Sequence, residues 1–482
     1  MSPTSAGGPS TVRFARRSTR GVILGFSLAR ALSVAAGIVV MILGLVFAGG
    51  MGFLVSGVLW APLVASAFVT VQGRPAIEWA PVAGQYAARN ATGQTEFRAK
   101  PSKPRPAGTL ALPGDGASLR FYDDPVTGTC MIHDPYRQTI SAVLLVEHPA
   151  YVLLAPEEQA QRVSAWGRTL ASLAQSGTCA AVQVLEATVP DPGTGVAGWY
   201  QAHGTHDGSW ADDEYRALLA QTTTGSSTHR TTITIALDMK RAAKAISHAG
   251  RGMKGAAAVL SADMVGLEHG LRSSGLRIGH WLSATELAAI VRSAYDPAST
   301  VLPGQPGAKM KSAGPVAISE HWDRFRSDSS WSAVLWVSDW PRIDVPPHFL
   351  HPLVFSPGVR KTISIVARPL GTTEALKAIR REKTEAISDS VQKAKIGQIE
   401  DLSDVKEYED LLERERALIS GHADVAFSGF ISVTAATEDM LSAAISQIER
   451  AASQAACETR LLYGRQTQGF VVAALPLARG VL

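Results

Sequence analysis

Apolar residues fill two neighbouring runs near the N-terminus, residues 31–48 (ALSVAAGIVVMILGLVFA) and 53–71 (FLVSGVLWAPLVASAFVTV), and no charged residue occurs between Arg30 and Arg74. A helix needs roughly 20 mostly apolar residues to span the hydrocarbon core, so each run predicts one crossing. Gly49-Gly50-Met51-Gly52 between them predicts a tight turn, and hence a two-helix transmembrane hairpin over 31–71. Pro62 falls inside the second run, where a membrane helix tolerates it better than a soluble one. A cleaved signal peptide ending near Ala65-Ser66-Ala67 fits less well, because its apolar region is roughly 7–15 residues and here two longer runs stand in tandem.

After the apolar runs the pattern changes. Residues 75–92 predict a helix along the inner membrane surface, with Trp79 and Tyr86 at headgroup level. Lys100-Pro-Ser-Lys-Pro-Arg-Pro106 reads as a linker that closes a juxtamembrane segment over 72–106. Beyond it, strand and helix periods alternate. Residues 139–146, 180–188 and 231–237 read as strands, with a helix from Pro156 to about residue 175 that carries Glu157 and Glu158 in its first turn. Residues 332–337, 362–367, 425–433 and 459–462 repeat the strand signal, with a helix over 438–452. The expected fold class is α+β: the transmembrane hairpin, then cytoplasmic α/β sandwich domains of ferredoxin-like character with long helical insertions. Two subdomains are expected, 107–300 and 301–482, the second with a long charged helix over 374–418 read as a solvated helical hairpin. No internal sequence repeat is evident. Ser283 with Glu286 predicts a capping box.

From Ile246 apolar residues recur every seven positions, at Met253, Leu260 and Leu267, with Met264 and Leu271 in the interleaved places. This heptad seam fits either a helix packed on its own domain or an intersubunit coiled coil, so Ile246, Met253, Leu260, Met264, Leu267 and Leu271 form the candidate oligomer seam.

Charge sets orientation. Arg13, Arg16, Arg17, Arg20 and Arg30 precede the first run, Arg74 and further basic residues follow the second, and the connecting turn has none. The positive-inside rule then puts the basic tail 1–30, the C-terminus and the large domain in the cytoplasm. The chain as a whole has net charge +4, but residues 1–105 hold eleven Lys/Arg against Glu78 and Glu96, which leaves the soluble part acidic. Basicity at the membrane edge suits anionic lipid, and the acidic remainder argues against direct nucleic-acid binding. Cys130, Cys179 and Cys457 are few, odd in number and far apart, as in a reducing compartment.

No phosphate-loop motif occurs; the glycine-lysine clusters Gly250-Arg-Gly-Met-Lys254-Gly255 and Gly307-Ala-Lys309 lack its order. There is no G-x-S-x-G and no H-E-x-x-H. His203-Gly-Thr-His206-Asp207 has metal-ligand residue types without an identifiable third ligand. Asp123-Asp124-Pro125 and His133-Asp134-Pro135 could do acid–base work, but turns closed by Asp side chains explain them more simply. The sequence therefore predicts no catalytic residue, no cofactor and no metal. The competing reading is a membrane-anchored enzyme using Asp124 and His133 or His203 and His206.

Several blocks carry a resemblance: Gly73-Arg-Pro75, Glu78-Trp79-Ala80-Pro81, Ala91-Thr-Gly-Gln94, Leu110-Ala-Leu-Pro-Gly114, Asp124-Pro-Val-Thr-Gly128, His133-Asp-Pro135 and Arg162-Val-Ser-Ala-Trp-Gly167. With the Arg-rich start and the two apolar runs they resemble actinobacterial membrane proteins associated with conjugation, or type IV secretion-like, elements. Gln468-Gly-Phe470 and Ala474-Leu-Pro476 resemble the segment that ends the N-terminal domain of conjugation ATPases, with the motor domain missing here. The resemblance implies a two-span inner-membrane subunit fused to a membrane-proximal ATPase domain. It implies a non-catalytic scaffold of a conjugative DNA-transfer or type IV secretion apparatus, homo-oligomeric, that docks a separate hexameric ATPase and other channel subunits.

Overall fold

The computed structural model describes residues 27–100, 108–110, 112–147, 151–190, 194–222, 227–298, 309–396, 402–420 and 423–480. Contacts divide the chain into two compact units, Arg16–Thr95 and Glu96 onward.

The first unit is built on α1 (Leu28–Phe68), a single apolar helical element of 41 residues and the one helix, among the described residues, long and apolar enough to cross a membrane. The sequence suggested two separate helices with a four-residue turn. Instead, helical geometry runs through Gly50–Gly52 and fails only at Ala48 and Gly49. Gly49 has φ 58° and ψ −147°, a region essentially closed to residues with a Cβ. The arms on either side of this break touch. Arg30 Nε donates to the Ala67 carbonyl at 3.0 Å, and a Cβ on Gly37 would come within 2.6 Å of Val64 Cγ2. Small residues allow such close approach of apolar helices. The helix also ends earlier than expected, at Phe68. Strand β1 (Thr70–Val71) then turns through Gln72 and Gly73, both at positive φ, into β2 (Arg74–Pro75). Helix α2 (Ala76–Ala91) follows with no buried residue. Trp79 Nε1 donates to the Val71 carbonyl, and the Arg89 guanidinium lies 6.0 Å from the Tyr86 ring centroid.

The second unit begins with β3 (Glu96–Arg98), β4 (Arg120–Asp123), β5 (Cys130–Asp134) and β6 (Thr139–Glu147). There follow α3 (Pro156–Ser176), β7 (Cys179–Pro190), α4 (Thr194–His203), α5 (Trp210–Thr222) and β8 (Ser227–Asp238), then α6 (Ala243–His248), α7 (Gly252–Ser273), β9 (Arg277–Trp281) and α8 (Ala284–Tyr295). The later part holds β10 (Ala317–Glu320), β11 (Phe325–Ser327), β12 (Ser330–Asp339), α9 (His351–Val354), β13 (Arg360–Leu370), α10 (Thr372–Ile396) and α11 (Leu402–Ile419). It ends with β14 (Asp424–Ala435), α12 (Glu438–Gln454), β15 (Glu458–Leu461) and α13 (Gln466–Ala473).

One 13-stranded sheet contains all the strands from β3 on, in the order β3-β10-β11-β12-β14-β13-β7-β8-β6-β5-β4, with β9 also on β6 and β15 also on β12. The order reveals a duplication. In the first half β6, β7, β8 and β9 lie as second-third-first-fourth, with α3 and α7 as the connecting helices. In the second half β12, β13, β14 and β15 lie in the same order. This is the split β-α-β connectivity. Each half is preceded by a two-stranded hairpin, carries a helical pair between its second and third strands, and ends in a helix, α8 or α13. Register supplies the sequence trace of the repeat. Ser141-Ala-Val-Leu144 in β6 matches Ser332-Ala-Val-Leu335 in β12, and Leu282 N donates to Val143 O as Leu462 N donates to Val334 O, at 2.8 and 2.9 Å.

The boundary expected near residue 300 does not interrupt the packing. Strands β7 and β13 pair antiparallel from Lys361 opposite Thr188 to Ala367 opposite Val182. One apolar core spans both halves and includes Leu287 and Ile290 of α8, Phe325 of β11 and Phe470 of α13. A second core lies under α3 and α7, and a third under α12. Central strands covered on both faces read as continuous apolar runs, which is the pattern of β6. The charged segment 374–418, read as a helical hairpin, is two helices, α10 and α11, tied by Lys383 to Glu415 and by Arg414 to Glu382; Arg414 also pairs with Asp424 of β14. The capping box at Ser283 and Glu286 is present.

Candidate functional site

The acid–base candidates are turn residues. Asp124 Oδ2 accepts from Thr127 N and Thr127 Oγ1 at 3.0 and 2.7 Å, and Asp134 Oδ1 accepts from Tyr136 N and Arg137 N. His133 is half-buried on β5, and burial lowers its pKa against the pull of Asp134. In the helical pair α4–α5, His203 Nδ1 lies 3.0 Å from Trp199 O and its ring stacks on Trp199. His206 Nε2 meets Gln201 O and its Nδ1 meets Arg216. Both imidazoles are thus engaged with their own hairpin. Among the described residues no group of three His, Cys, Asp or Glu side chains converges as a metal site would require. The three cysteines are buried and free, and burial raises their thiol pKa values, to about 11 at Cys457 and about 12 at Cys179.

The glycine cluster at 250–255 has the G-x-G-x-x-G spacing, but the element before it is helix α6, not the strand a dinucleotide site needs. Arg251 and Gly250 at positive φ break the heptad seam into α6 and α7. Ile246, Leu260, Met264, Leu267 and Leu271 are buried in the core beneath α3 and α7, with Met253 packed against it. This stripe therefore faces the chain's own sheet. Gly270 fits against Thr169 of α3 where a Cβ would collide.

Sequence reasoning missed the polar groups gathered at the β7–β13 joint. On one face Glu186 of β7 accepts from Thr231 Oγ1 and lies 3.1 Å from His229 Nδ1, both on β8. Lys361 of β13 belongs to the same face, opposite Thr188. It is 2% exposed, and its Nζ donates to Ser356 O at 2.7 Å. The residues around α9 close over this network, and Phe355 packs edge-on to His229. The available signal was local: Glu186 interrupts an apolar strand, and Lys361 is the second residue of another.

Burial lowers the Lys361 pKa from 10.5 to about 8, with Glu186 opposing. Between those values the unfolded chain binds the extra proton, so stability should rise as pH goes from about 8 to 10.5. Lys361→Met should flatten that rise. Denaturant titrations at stepped pH check it, and an unchanged slope in the variant would show that Lys361 is not its source.

Residues 225–337 match the model of a protein family described as "Putative type VII ESX secretion system translocon, EccE". The matched segment is less than a quarter of the chain and runs from β8 through α7 and α8 into β12. No curated protein matched the chain. The similarity is to a secretion-system component, and the system is type VII, not the conjugative, type IV kind that the sequence blocks suggested.

Proposed function

We propose that this chain is a membrane-anchored, non-catalytic subunit of a type VII secretion translocon. The observation that carries the reading is the family match over residues 225–337. The exposed apolar surface of α1 supports anchoring in the inner membrane. Unbent, 41 residues would reach about 60 Å, twice the hydrocarbon thickness. Broken at Ala48–Gly49, each arm matches one crossing, so the anchor crosses twice. The basic flanks place both ends and the large domain in the cytoplasm. Other translocon subunits are its partners, and energy conversion falls to a separate one of them.

The test is purification from native membranes in mild detergent. Co-elution with other type VII subunits is expected, together with labelling of a cysteine at position 50 from outside the cell only. A chain recovered alone as a monomer would remove the translocon reading. Labelling of position 50 from the cytoplasm would remove the topology.

A further inference from the structure

The opposite face of the β7–β13 joint holds two arginines, Arg230 and Arg360, on either side of β7. Ala187 of β7 lies directly between Arg230 of β8 and Thr362 of β13. Side chains alternate along a strand, so Thr232, opposite Leu185, and Arg360, two residues from Thr362 in the other direction, share that face. It is the face covered by α8, where Arg360 donates to Ser293 O at 2.8 Å. Ala187 leaves only a methyl group between Arg230 and Thr362.

These side chains are poorly satisfied by the protein. Arg230 is half-buried and forms no hydrogen bond among the described residues, and its Nε is shut off from solvent. The hydroxyls of Thr232 and Thr362 are buried without partners. Neither arginine pairs with a carboxylate among the described residues. The carboxylate that acts on Arg230 is Glu186, which belongs to the other face of β7 and is held by Thr231 and His229. Burial, and after it the charge of Arg230, together lower the pKa of Arg360 to about 10. Buried donors and like charges are normally compensated.

The joint does not need this arrangement to form. Counted through the strand pairings from the Ser-Ala-Val-Leu repeat, the second half puts Ser428, Val366 and Gln183 where the first has Arg230, Ala187 and Thr362. There the Gln183 amide donates to Ser364 Oγ, Val472 O and Leu475 O and accepts from Ala478 N. That end is uncharged, and its amide is closed off by the chain itself.

We infer that Arg230, Arg360, Thr232 and Thr362 form a binding site for a phosphate group. Guanidinium forks match phosphate oxygens in geometry, two of them balance the charge of about −2 on a phosphate, and the threonine hydroxyls supply further donors. The phosphate belongs either to a free anion or to a lipid headgroup; both present the same oxygens.

Thermal unfolding of the detergent-solubilised full chain, followed against inorganic phosphate and separately against short-chain phosphatidic acid, tests the site. Sodium chloride at matched ionic strength controls for screening. A saturable rise of the midpoint is expected, absent with chloride. Saturation at lower concentration with phosphatidic acid assigns the lipid source; equal or weaker response assigns the free anion. Arg230→Met should weaken phosphate roughly tenfold or more. Without phosphate this variant should match or exceed wild type in stability, because an uncompensated charge is gone; saturating phosphate should reverse the order. A response to neither compound, or an equal shift in Arg230→Met, overturns the proposal. Should that variant fail to fold, phosphorus-31 line broadening of phosphate by wild type and by Arg360→Met decides instead: no broadening by wild type, or equal broadening by both, overturns it.

Discussion

Replacing Phe470 by alanine should cost about 3–5 kcal/mol, the range for deleting a fully buried aromatic ring. It should weaken both halves of the second unit at once. Phe470 is 1% exposed on α13. Its ring centroid lies 4.9 Å from that of Tyr295, which ends the first half, and 5.0 Å from that of Phe325, near the start of the second. The cavity would therefore open in the core that the halves share, where neither half can close it alone. Two buried thiols give independent probes: Cys179 lies in the core under α3 and α7, and Cys457 in the core under α12. Thiol labelling across a urea series should show both becoming reactive at one denaturant concentration, lower in the variant than in wild type. A shift at Cys457 alone would mean that the halves unfold separately, and the shared-core reading would fail.

Elements that depend on local pattern were legible in the sequence. The apolar runs of β6 and β12, the acidic first turn of α3 and the capping box of α8 each announce themselves within a few residues. The heptad over 246–271 shows why partners are harder: a period identifies an apolar face, and the same face suits a coiled coil or the chain's own sheet. Two α/β halves were expected, but no sequence repeat was evident, because its trace is little more than Ser-Ala-Val-Leu while the inserted helical pairs α4–α5 and α10–α11 differ in length and composition. Glu186, Arg230, Arg360 and Lys361 were invisible as a group for a related reason. They come from three separate strands, with Arg360 and Lys361 adjacent in β13, and only the pairing of β8, β7 and β13 collects them. The blocks that suggested secretion are turns and caps in several cases, such as Asp124-Pro-Val-Thr-Gly128. Such blocks specify a fold more than the system it serves, so they reached secretion without distinguishing type VII from type IV.

Asp134 joins local and distant structure, and Asp134→Ala should cost about 3–5 kcal/mol, as when one partner of a buried ion pair is removed. One carboxylate oxygen holds the turn after β5 by accepting from Tyr136 N and Arg137 N, the role legible from Asp-Pro in sequence. The other lies 2.9 Å from Arg479 Nε, as an ion pair without the alignment of a good hydrogen bond. Both residues are buried, so the alanine variant would leave the Arg479 charge without its counter-ion in the interior. Arg137, in the same turn, donates to Gly480 O at 2.6 Å, so the turn and the C-terminal segment are held together twice. Asp134→Asn separates the two roles, since its amide oxygen can still hold the turn while the charge is lost. A double-mutant cycle with Arg479→Met measures the pair. The double variant should recover much of the loss, because it removes the stranded charge along with its partner. Strictly additive losses, or an Asp134→Ala loss under about 1 kcal/mol, would show that Arg479 finds other compensation and that the turn alone explains Asp134.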